Sequence, residues 1–80
     1  MLDNFLEEVE NIEDLLDRLV LTSLHTYDGE FHMYVMKETK GLISRINEST
    51  ELSKEEKLVI IATLSSNYEF ALAQIEDVLK

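Results

Sequence analysis

Eighty residues, 45% of them apolar and none of them cysteine, describe one small folded domain with neither a disulfide framework nor a thiolate metal site. Seventeen acids against seven bases leave a net charge of −10, which excludes the simplest nucleic-acid readings, because a chain that neutralises phosphates needs a basic patch. Proline is absent and glycine occurs twice, so few positions force a helix to stop and a few long, tightly joined helices are expected.

The first seventeen residues, MLDNFLEEVENIEDLLD, read as one amphipathic helix. Phe5, Val9, Ile12, Leu16 and Leu19 recur at steps of four and three, and Leu2, Leu6 and Leu15 widen that stripe into a face able to enter a core. On the far side Asp3, Glu7, Glu10, Asp14 and Asp17 repeat with the same steps, flanked by Glu8 and Glu13, and the first base is Arg18. Asp3 or Asn4 lies near the expected cap, and the helix is expected to run to residue 25. Acids in the first turns suit the positive end of the helix dipole, but that effect fades within about one turn and does not reach Asp14 or Asp17.

Residues 21–36 admit two structures. In one, Asp28 caps a second helix whose buried stripe is Phe31, Val35, Leu42 and Ile46, with Tyr34 and Thr39 beside it. In the other, Asp28 and Gly29 form the tight turn of a β-hairpin, which would make the fold α+β. The helix is favoured, because Phe31, Met33, Tyr34, Val35 and Met36 would put apolar groups on both faces of a strand. An isolated two-stranded hairpin is also only marginally stable. Gly41, inside the second helix, suggests a kink or a close helix contact there.

NESTEL, residues 47–52, reads as a loop. Ser53 and Glu56 then form a capping box that opens a third helix. Leu58, Ile61, Tyr68, Leu72, Ile75 and Leu79 make one stripe along it, and Ile60, Leu64, Ala71 and Val78 make a second. Its apolar arc is wide, and no charge falls between Lys57 and Glu69. Such a helix touches two partners in a bundle, or one partner and a second subunit. The expected fold is therefore all-α: a three-helix antiparallel bundle over residues 3–25, 29–47 and 54–79. A homodimer that buries the surplus stripe at Ile60 and Leu64 is also expected.

Chemistry is sparsely represented. His25 and His32 bracket Asp28 and Glu30, but that spacing matches no metal signature, and no metal or other cofactor is expected. The aromatic residues, Phe70 among them, are assigned to core or rim packing. No nucleophile is paired with a base and no glycine loop could cradle phosphate, so an enzyme is not expected. Neither a leader nor a long apolar run is evident, which points to the cytoplasm and away from membranes.

The acidic stripe is the feature that stands out. A solvated helix face usually mixes signs, because like charges three or four apart destabilise by about 0.2–0.5 kcal/mol per pair. Here Asp3 with Glu7, Glu10 with Asp14, Glu10 with Glu13 and Asp14 with Asp17 are all like pairs. Successive carboxylates advance by about 4.5–6 Å along the helix, the same order as the 3.4 Å phosphate step of a DNA strand. The function this suggests is that of a small acidic interaction protein. It would bind and inhibit or regulate a basic partner, one that itself binds nucleic acid, with the carboxylates standing in for the charge of DNA. The alternative is a non-catalytic structural subunit that self-associates through its third helix, with the acids serving solubility.

Overall fold

The computed structural model describes residues 2–79, and side chains from residue 4 onward. Three helices account for nearly all of it: α1 (Leu2–Ser23), α2 (Gly29–Glu48) and α3 (Lys54–Leu79). Connections this short return the chain directly, so α2 runs antiparallel to both neighbours and α1 and α3 lie parallel. The molecule measures 42 × 17 × 16 Å. Its long axis is set by α3, whose 26 residues span about 39 Å at 1.5 Å per residue.

Local chemistry fixes each boundary. α1 ends as Ser23 Oγ donates to the Leu19 carbonyl at 2.7 Å and Thr26 N donates to the Thr22 carbonyl. Asp28 holds extended backbone (φ −113, ψ 103), and its carboxylate accepts from Glu30 N at 3.0 Å and Phe31 N at 3.2 Å. That cap selects the helix over the hairpin, because it satisfies the first amides of α2 where a hairpin turn would have to reverse the chain. Among the described residues there is no strand. At the start of α3, Glu56 N donates to Ser53 Oγ at 3.1 Å and Ser53 N donates to Glu56 Oε1 at 2.9 Å, the reciprocal capping box expected from sequence.

The core is one continuous column. Val9, Ile12, Leu16 and Leu19 of α1 meet Val35, Leu42 and Ile46 of α2 and Ile60, Leu64, Ala71 and Ile75 of α3, with Phe5, Leu15, Val20, Phe31, Ile43, Ile61 and Tyr68 packed around them. Leu52, in the connection read as a plain loop, is buried too and belongs to the same cluster. Thr39 reaches the core because its hydroxyl donates to the Val35 carbonyl at 2.8 Å, leaving no unsatisfied polar atom in apolar surroundings. α1 packs extensively on both other helices, while α2 and α3 touch each other least.

Two expectations are corrected. Ile60 and Leu64, assigned to a subunit interface, are 6% and 0% exposed and lie in the monomer's own core. The reason is register: Ile60, Leu64 and Ala71 face inward together with Ile75 of the other stripe, while Leu58 and Leu79 of that stripe stand in solvent. Gly41 marks neither a kink nor a close approach, since α2 is uninterrupted and a Cβ built there would meet nothing within 4 Å. By length and composition alone α3 is also long and apolar enough to cross a membrane, with a mean hydropathy of 1.3 over its most apolar window. In the bundle 22% of that window is buried.

Candidate partner-binding face

α1 buries two sides against α2 and α3 and turns a third outward. Glu7, Glu10, Asp14 and Asp17 occupy that third side and are all exposed. Asp3 belongs to the same helix, but its side chain lies outside the described residues. The four carboxylates span ten residues, about 15 Å along the axis. None of them makes an ion pair or hydrogen bond with a described residue, so the side of α1 that faces water is a mostly acidic ridge, with exposed Arg18 at its end, four residues after Asp14.

Their two neighbours behave differently. Glu8 turns toward α2, where Arg45 Nη1 donates to its Oε1 at 2.7 Å. Glu13 turns toward α3 and accepts from Asn67 Nδ2 at 3.3 Å. The acids of α1 thus divide by helical angle into two that tie the bundle together and a row that ties nothing. Exposed pairs such as Glu8 with Arg45 contribute at most about 1 kcal/mol, so the division concerns geometry more than stability. Arg45 is drawn to the α1/α2 side, and Lys57 Nζ is directed to the Asn47 carbonyl at 3.0 Å. Of the described bases, exposed Arg18 toward the end of α1 is the one that shares the ridge's side.

The α1/α3 groove beside the ridge holds what the sequence reading missed. Val59 is 65% and Phe70 69% exposed, although the aromatic had been assigned to packing. Phe70 lines a depression with Glu13, Asp17 and Val20 of α1, and Val59 lines another with Leu6 of α1 and Glu55 and Glu56 of α3. The signal for these residues was present: Val59 and Phe70 fall on neither apolar stripe of the third helix. An apolar side chain between stripes, on a stretch without charges, belongs to a surface.

At the opposite side of the molecule, His32 joins two helices and a loop. Its Nδ1 lies 2.7 Å from the Tyr27 hydroxyl and its Nε2 lies 3.3 Å from the Tyr68 hydroxyl. A neutral imidazole offers one donor and one acceptor, so one tyrosine donates to the ring and the other accepts from it. Burial pushes the Tyr68 hydroxyl above its ordinary pKa, and neighbouring Tyr27 adds to the shift. Among the described residues no three His, Asp or Glu side chains converge as metal ligands would. The arrangement serves as a strut from the α1/α2 connection across α2 to α3. No family model, no curated protein and no solved structure matches this chain.

Proposed function

We propose that this is a small non-catalytic interaction protein that binds a basic protein partner through the acidic ridge of α1, with Glu7, Glu10, Asp14 and Asp17 in contact and Asp3 extending the row. The observation that carries the reading is that four exposed carboxylates on one helix face form no ion pair among the described residues, with Arg18 the one described base on that helix. Such a row costs like-charge repulsion inside the helix, and a cationic partner surface would relieve it on binding. It also raises the association rate of a positive partner and lowers that of nucleic acid. A partner whose basic surface otherwise holds phosphate would be occluded by it, and regulation by competition follows.

The test is capture from native cell extract, with the wild-type protein and a Glu10→Lys/Asp14→Lys variant run side by side. A basic protein retained by the wild type and lost by the variant supports the reading. Equal retention rejects it.

Self-association through α3 is a second reading, supported by the exposure of Leu58, Val59 and Phe70 and not by Ile60 or Leu64. Two copies would each bring a net charge of −10 to the contact, which opposes it at low salt. Sedimentation equilibrium distinguishes a 9.3 kDa monomer from a dimer.

A further inference from the structure

The α1/α3 groove differs from the other two inter-helix grooves in its charge. The α1/α2 groove is lined in part by Arg45 and the α2/α3 groove by Lys40, whereas among the described residues no lysine or arginine lines either depression of the α1/α3 groove. The first is lined by the polar Glu13, Asp17, Asn67 and Gln74, whereas the second, between Leu6, Val59, Ile60 and the stems of Glu55 and Glu56, is wholly apolar. Each also presents a large exposed apolar side chain, Phe70 in the first and Val59 with Leu6 in the second. An apolar anchor beside acids at the Phe70 end, continued by an apolar depression at the Val59 end, describes a docking surface better than a merely solvated face.

From these observations we propose that the α1/α3 groove receives an amphipathic helix bearing lysine or arginine along its flanks, which deepens the reading above and rests on it. The two anchors sit on either side of the hydrogen bond from Asn67 to Glu13. On α3 they are eleven residues apart, about 16 Å at 1.5 Å per residue, which is three helical turns. Residues i and i+11 of a docked helix project from nearly the same angle, so one helix of about four turns can seat an apolar side chain at each end. Between the anchors, Ala62, Thr63 and Ser66 are small and exposed, and they leave room for a helix axis to approach. Glu10 and Asp17, at the groove edge of the ridge, would then meet the cationic flank. A second copy of this chain is the wrong occupant on charge, since its own exposed helix face is acidic.

The probe is a synthetic lysine-rich peptide of about four turns with leucine at i, i+4, i+7 and i+11. Its control has the same composition, with the leucines scattered around the helix. Fluorescence anisotropy is recorded against wild type, Val59→Gln/Phe70→Gln and Glu10→Lys/Asp14→Lys. Val59 and Phe70 are mostly in solvent, so the first variant keeps its helical circular dichroism. The expected result is tighter binding of the amphipathic peptide than of its control, with affinity lowered about tenfold or more by removal of the apolar anchors. Equal binding of the two peptides, or no loss in Val59→Gln/Phe70→Gln, overturns the groove proposal while leaving the charge-based function standing. Unchanged binding to Glu10→Lys/Asp14→Lys, together with loss in the anchor variant, overturns the role of the ridge instead. No binding of either peptide overturns the groove proposal, as does a wild-type dimer that Val59→Gln/Phe70→Gln dissociates, and both leave the ridge to the capture experiment.

Discussion

Gly41 and Leu64 show how differently an exposed and a buried position of two helices weigh on stability. Gly41 holds ordinary helical backbone with open space where a Cβ would sit, so it costs chain entropy and returns no contact. Gly41→Ala should therefore stabilise the fold by about 0.5–1 kcal/mol, read from the urea midpoint at unchanged slope. Leu64 is fully buried where the three helices meet, and Leu64→Ala should cost about 2–5 kcal/mol in the same measurement. The capping box adds a pH-dependent element. The Ser53 backbone amide and then its hydroxyl hold the Glu56 carboxyl below its ordinary pKa of 4.5. A carboxyl whose folded pKa is depressed stabilises fully above its unfolded value and loses that contribution as pH falls through the folded value. Glu56→Gln can still reach the Ser53 amide but does not titrate. The stability gap between wild type and Glu56→Gln should thus narrow as the pH drops below 4.5.

For whole elements, legibility followed from whether one residue could decide the matter alone. The starts of α2 and α3 were legible because Asp28 and Ser53 with Glu56 act through local hydrogen bonds that depend on nothing distant. The buried line of α1 was legible too, since a row of carboxylates leaves that helix only one way to turn. α3 offered no such contrast. Two apolar stripes of similar weight compete, and the choice between them is made by the register against α1, seen in Asn67 meeting Glu13, which is a tertiary fact. Leu58 and the pair Ile60 and Leu64 exchanged places for that reason, and Phe70 emerged on the surface. The ridge itself was readable as a stripe, whereas the division into Glu8 and Glu13, which hold the bundle, and the four outward acids required the neighbouring helices. Glu10 faces like charge at Glu7, Glu13 and Asp14, so Glu10→Lys turns three repulsions into attractions worth about 0.2–0.5 kcal/mol each. A thermal midpoint raised by a few degrees at low salt, shrinking as salt is added, is the expected outcome of a melting series.

On the scale of the whole molecule, seven of the seventeen acids lie in the first seventeen residues with no base among them, while α2 and the start of α3 nearly balance. The rod therefore has a strongly negative long side built on α1 and a nearly neutral one built on α2. That polarity is a property of assembly, because the bundle places the tied acids inward and the untied ones together along one side. Its central consequence is that recognition and stability pull in opposite directions at Glu10 and Asp14. The most direct test takes the partner captured by the wild-type protein and titrates it into wild type and Glu10→Lys/Asp14→Lys, at low and at physiological ionic strength. If the ridge is the binding face, wild-type affinity falls as salt rises and the variant loses binding at both salts while remaining as helical as the wild type. Equal affinity of the two proteins, with no dependence on salt, would contradict it.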